Sequence, residues 1–150
     1  MRYIPKYFKL YEWLPVYFYN KWEPVYGEGL WELLFDKRIL ITGDRLRERY
    51  GVMVMNDWQW RQLDQYVNQY RGYRPLDCSI GAKLSDHKKG IALDAKFKNY
   101  SVDEIREDIK KKPFDKTFEY ITCIEEGVSW LHASCRERDK VKNGIQIIRP

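Results

Sequence analysis

The sequence predicts an α+β fold, with helices in the first half and a small sheet after them. Three observations carry this expectation. Asp36 stands at the N-cap position of a stretch in which Ile39, Leu40, Leu46 and Tyr50 share one face, and Gly51 follows as a glycine stop. Ser101 and Glu104 form a capping box ahead of a second helix. Short apolar runs bounded by glycine or polar residues occur at 52–55, 90–97, 129–134 and 144–148, as expected of strands.

The elements follow in chain order. Residues 1–26 are crowded with aromatic rings and interrupted by Pro5, Pro15 and Pro24, which suggests an irregular arm packed on the body, with a short helix over 6–13. Residues 29–35 suggest a helical turn or two. The capped helix runs from Asp36 to about Tyr50, and the run at 52–55 reads as a buried strand. Residues 56–70 are polar and aromatic with weak periodicity, so a loop with some helix is expected. Residues 71–74 and 90–97 read as strands. The helix after Ser101 reaches about Lys111, where Pro113 blocks its extension. A further helix is expected over 115–126, ended by Gly127. Two strands, at 129–134 and 144–148, are joined by a charged turn.

Bulk properties bound the function. The 150 residues suit one domain, with no linker or repeat dividing them. Hydrophobic residues make up 44% and charged residues 33%, which is a globular composition. Aromatics reach 16%, enough for a core or groove built from rings with polar edges. No apolar run is long enough to span a membrane, and the first residues lack the unbroken apolar stretch of a secretory signal, so synthesis in a cytoplasm is expected. Three cysteines without CxxC spacing suggest neither a disulfide framework nor a thiolate zinc knuckle. The net charge of +5 suits an anionic partner without choosing one. The lysines at 88–89 and 110–112 read as solvated faces, the latter favouring a helix C-terminus, so no nucleic-acid partner is expected.

The chemistry concentrates around the chain's two histidines, His87 and His132. His87 and Asp94 are seven positions apart, with Gly90 between them to permit a tight, positive-φ turn. Ala92 shares strand parity with Asp94 and leaves room on that side. Asp94 lies between Leu93 and Ala95, a costly setting for a carboxylate unless it is paired or bound to a metal. Histidine and carboxylate together suit Zn²⁺, and a catalytic zinc takes three protein ligands plus an open position. A hydrogen-bonded core histidine and an ion-paired strand aspartate are the ordinary alternatives.

Ser85, His87, Gly90, Ala92 and Asp94 match the SxHxxGxAxD signature of the zinc peptidase family M15, and the chain resembles that family. The family comprises D-Ala-D-Ala carboxypeptidases and L-alanyl-D-glutamate endopeptidases of bacteria and phages. The Trp130-Leu131-His132 segment is similar to its WxH motif, Arg71-Gly72-Tyr73-Arg74 resembles its GYR segment, and Leu46-Arg47 with Gly51 resembles its LRxxxG helix end. The run from Tyr7 to Glu12 looks like the opening of phage-type members. The resemblance implies a Hedgehog/DD-peptidase-like α+β fold with a small antiparallel sheet and flanking helices. It implies Zn²⁺ held by His87, Asp94 and His132, with Arg74 facing the substrate and Ser85, Asp86 and Trp130 around it. Many members carry an acidic base three residues before the last ligand, where this chain has Ser129. Glu126 is the expected replacement, with Glu125 its neighbour, and Gly127 gives the chain freedom to fold back.

The function implied is cleavage of peptidoglycan stem peptides at the cell wall, by a phage-encoded endolysin or a virion-associated lysin with other virion proteins as partners. The alternative, kept open by Ser129, is a catalytically weakened module of the same fold that binds the wall or serves in a virion.

Overall fold

The computed structural model describes residues 2–61 and 67–150. Among these, six α-helices and five strands form an α+β fold with a small mixed sheet. The N-terminal stretch is more regular than an arm. After a 3-10 turn at Leu10–Glu12, helix α1 spans Val16–Tyr26. Pro15 sits at its N-cap, where no intrahelical N–H is lost, while Pro24 lies inside the helix near its end and gives up one i→i−4 hydrogen bond. Helix α2 (Gly29–Leu34) leads into α3 (Lys37–Tyr50), whose N-cap Asp36 accepts a hydrogen bond from the Arg38 N–H. Gly51 ends α3 at φ +78°.

The chain then forms β1 (Met53–Val54) and a single helical turn, α4 (Trp58–Arg61). Residues 71–74, expected as a strand, join no ladder. They run as an extended connection whose backbone bonds elsewhere: Tyr73 N–H to the Trp13 carbonyl, and the Arg71 carbonyl to the Asp94 N–H. Strand β2 (Ala92–Phe97) and helix α5 (Val102–Lys111) follow, α5 with the capping box between Ser101 and Glu104.

The helix expected over 115–126 is absent. A 3-10 turn at Lys116–Phe118 gives way to strand β3 (Cys123–Glu125). The β-branched residues Ile121, Thr122 and Ile124 favour the extended form, and Ile121 and Ile124 are fully buried there. Strand β4 (Leu131–Ser134), helix α6 (Lys140–Asn143) and strand β5 (Gln146–Ile148) complete the chain.

The strand order is β1-β2-β4-β3-β5. All neighbours are antiparallel except β3 and β5, so the sheet is mixed, not antiparallel. The charged segment between β4 and β5 contains α6, and it carries the chain past β4 to the far edge of β3, where β5 arrives parallel. The last two strands are therefore not neighbours.

The aromatic surplus fills the core. Trp13 is fully buried, with Phe8, Trp31 and Phe35 set edge-on around it at ring-centroid distances of 5.6, 6.0 and 5.3 Å. Such edge-to-face pairs each add ~0.5–1.5 kcal/mol beyond area burial. No helix among the described residues is long and apolar enough to cross a membrane.

Candidate metal centre

Strand register sets two members of the site opposite each other. Asp94 in β2 and His132 in β4 are direct partners in the antiparallel ladder, a placement that brings Cβ atoms within about 5 Å on one face. The His132 Nδ1 lies 2.7 Å from Asp94 Oδ1.

His87 reaches the same point from a 3-10 turn, Asp86–Lys89. The Ser85 hydroxyl accepts the His87 N–H and caps this turn. Gly90 closes it at φ +66°, in the left-handed region, and a Cβ there would stand 1.8 Å from the Leu34 carbonyl oxygen. Only glycine meets both demands. The Gly90 carbonyl in turn accepts the Asp36 N–H, tying the turn to the start of α3.

The ring of His87 is oriented from behind. Its Nδ1 lies 2.7 Å from the Gly72 carbonyl; a carbonyl can only accept, so Nδ1 carries the proton and Nε2 faces the site. This is the supporting contact that metal-binding histidines ordinarily have. A Cβ on Gly72 would stand 2.3 Å from the Trp13 carbonyl oxygen, so the backbone that holds His87 is itself pressed onto the aromatic core.

The result is a buried triad. His87, Asp94 and His132 are 2%, 5% and 6% exposed, and each offers a ligand atom within 4.8 Å of the others. His87 Nε2 lies 3.3 Å from Asp94 Oδ2, and both His87 Nε2 and His132 Nε2 are buried without a hydrogen-bond partner. Two orphaned imidazole nitrogens around one carboxylate are costly in a dry interior. The donor set, two imidazoles and a carboxylate, could hold a metal ion. Burial pushes the Asp94 carboxyl upward, but His87 and the hydrogen bond from His132 outweigh it and hold the group well below the usual carboxylate range. Asp94 is therefore ionised, as a ligand must be.

A cavity of about 250 Å³ opens beside the triad. It brings in most of the residues expected from the sequence: Arg74, Ser85, Asp86 and Trp130 all line it with the three triad members. The Arg74 guanidinium donates from Nε to the Tyr70 carbonyl and sets Nη2 3.7 Å from Asp94 Oδ2. Asp86 is placed there, but its carboxylate is already engaged. Arg136 Nε donates to it and Lys89 Nζ lies 3.9 Å away. Asp86 thus lines the cavity with its carboxylate held by Arg136.

Glu126, expected as the base, lies away from the cavity. Its carboxylate forms ion pairs with Lys110 and Arg149, which hold it below the usual carboxylate range, and it does not line the cavity. Glu125 lines it instead. Strand parity is the reason: Cys123 pairs with Ser134, and Glu125, two residues on, shares the face of Ser134 and His132. Arg106 fixes this hairpin from beneath. It is buried, and it donates to the carbonyls of Glu125, Val128 and Trp130. Sequence reasoning also passed over Arg136, although it continues the parity of His132 and Ser134. Ser129 is exposed.

The chain matches no protein-family model, no curated protein and no solved structure.

Proposed function

We infer that this chain is a zinc metallopeptidase of the M15 type, with a Hedgehog/DD-peptidase-like arrangement of sheet and helices, acting on the stem peptides of bacterial peptidoglycan. The observation that supports the reading is the convergence of His87, Asp94 and His132, with two orphaned imidazole nitrogens, at the edge of a cavity that also holds an arginine and a free carboxylate.

A zinc ion held by His87, Asp94 and His132 supplies Lewis acidity toward a peptide carbonyl and an attacking water. The protein's own groups supply the rest. Arg74 presents its guanidinium beside Asp94, where it steadies a carbonyl oxygen or a carboxylate of the peptide. Glu125 is partly buried, lines the cavity and has no hydrogen bond or ion pair through its side chain among the described residues. It is the group placed to take a proton from water and return it to the leaving amine. Trp130 offers a flat apolar wall for the chain of the substrate. The absence of a carboxylate at position 129 is thus met from the neighbouring strand.

On this reading the chain serves as a phage-encoded endolysin or a virion-associated lysin, acting at the cell wall after synthesis in the host cytoplasm. The test is direct. Purified protein should carry one zinc per chain by elemental analysis and should release soluble fragments from purified sacculi, with new amino termini within the stem peptide. Protein that carries zinc and binds sacculi without creating amino termini would favour the second reading, a weakened wall-binding module, which the exposed Ser129 keeps in view.

A further inference from the structure

Two of the three triad members are placed by one ladder, since Asp94 and His132 are register partners in β2 and β4. His87 is not. Its turn, Asp86–Lys89, belongs to no strand. Ser85 and Gly90 give the turn its shape, but shape alone does not fix how a turn sits on a sheet. Its backbone is tied to the start of α3 by the bond from the Asp36 N–H to the Gly90 carbonyl. It is tied to the extended connection by the bond from the Arg74 N–H to the His87 carbonyl, at 3.2 Å. Neither bond reaches β4 or β5.

Asp86 does reach them. It precedes His87 by one residue and is only 5% exposed. The Arg136 Nε donates to its carboxylate. Arg136 lies two residues past the end of β4, on the face that carries His132 and Ser134. It is held there at both ends. Its carbonyl accepts the Thr122 hydroxyl at 2.9 Å, and its Nη1 donates to the Gln146 side chain of β5 at 3.1 Å. Among the described residues, no other side-chain bond joins the His87 turn to β4 or β5. Lys89, the second cation near Asp86, is exposed and comes from the turn itself, so it adds nothing to the seating. A buried carboxylate stripped of its cation is left as an uncompensated charge. Here the residue that would have to move carries His87 with it.

We propose that Arg136 is a positioning residue for the metal centre. Through Asp86 it seats the turn of His87 on β4 and β5, and so sets the His87 ring against Asp94 and His132. The metal rests on the function inferred above; the seating of His87 does not. Strand β5 is part of that seat, because Gln146 holds the far side of the same guanidinium.

The test uses the full chain, stripped with a chelator and then loaded with zinc. Its only two histidines give two ring N–H signals after isotope labelling of the imidazole nitrogens. One is the His87 Nδ1–H on the Gly72 carbonyl, the other the His132 Nδ1–H on Asp94. In the stripped chain, Arg136→Gln should speed solvent exchange of the His87 ring proton by at least ~10-fold, as expected for loss of a charge-assisted contact, and leave that of His132 unchanged. Zinc affinity should fall by ~10–100-fold, the usual cost of losing a supporting partner of a ligand. Arg136→Lys should recover part of both, because an ammonium can meet Asp86 but cannot hold Gln146 at the same time. Gln146→Leu removes only the second anchor and should move the same signals less; it carries the test if Arg136→Gln does not fold. Faster exchange at both rings alike, with a lower melting temperature, overturns the proposal and makes Arg136 a general support. Unchanged exchange at His87, or undiminished affinity where the wild-type chain binds zinc, overturns it as well. A wild-type chain that takes up no zinc, with exchange at His87 alone quickened by Arg136→Gln, keeps the seating and loses the metal reading.

Discussion

The β2–β4 pair and the β3–β5 flank lie in one sheet, yet they place their functional groups by different means. In β2 and β4, Asp94 and His132 face each other through ladder register, and His87 is brought in by a capped turn with a glycine in the left-handed region. Each position is fixed by local backbone geometry. In the flank, Glu125 reaches the cavity only because β3 is a strand, and the hairpin after it is held by a side chain from another element, Arg106 of α5. Groups placed by register survive a change in a distant residue; groups placed by a borrowed side chain do not. On the function proposed above, metal binding by the triad should therefore be robust to substitutions that disable Glu125.

The largest effect should come from removing a ligand. His132→Ala leaves two protein ligands where a catalytic zinc takes three. Zinc affinity should fall by more than the ~10–100-fold that losing a supporting contact costs, and sacculus digestion should cease; competition with a chelator measures the first. Retention of one tightly held zinc in this variant would break the assignment of the triad.

Next in size is the contrast between adjacent glutamates. Glu125→Gln should lower turnover by ~10²–10⁴-fold while zinc content stays at the wild-type level. Glu126→Gln should leave turnover unchanged, because its carboxylate is taken by Lys110 and Arg149. Equal losses in both variants would show that the hairpin as a whole matters and that strand parity does not select the base.

Two backbone-level changes sharpen the comparison further. Gly90→Ala meets both an unfavourable φ and a contact with the Leu34 carbonyl. It should destabilise the fold by more than about 2 kcal/mol and weaken zinc binding with it, read by calorimetry with and without chelator. Arg106→Ala strands three backbone carbonyls and should cost about 2–3 kcal/mol. Its signature is different: turnover should fall and the loop carrying Trp130 should exchange amide protons faster, while zinc affinity is kept. Loss of zinc in Arg106→Ala would mean that the two regions are not separable.

Much of the placement of the His87–Asp94–His132 triad was legible in the sequence because its signals are local. The spacing of His87, Gly90 and Asp94, the cap at Asp36 and the capping box at Ser101 each describe a turn or a strand that forms as expected. The placement of Glu125 was not legible for a physical reason. Ile121 and Ile124 are three apart, a spacing that a helix face accommodates, so the period did not distinguish helix from strand. With β3 read as helix, the choice between Glu125 and Glu126 lost its parity argument. The parallel pairing of β5 has no local signature at all, since it depends on where α6 delivers the chain. Arg136 became visible only once a cavity existed for it to line. Of the helix expected over 6–13 only the 3-10 turn Leu10–Glu12 forms, and the irregular arm gave way to α1, which Pro15 starts from its N-cap and Pro24 does not interrupt.

The strand order has a consequence for how the molecule is made. Strand β4 lies between β2 and β3, though it follows both in the chain. On a ribosome, β2 and β3 emerge first and have no hydrogen bonds to each other to form. Until residues 131–134 are released, the inner edge of β2 remains open and Asp94 lacks its ladder partner His132. The sheet then closes by insertion of a late strand between two early ones, a non-local step that slows folding and exposes strand edges while it is pending. Nascent chains stalled before residue 131 should thus be protease-sensitive and unable to retain zinc, and both properties should change together once that strand clears the exit tunnel.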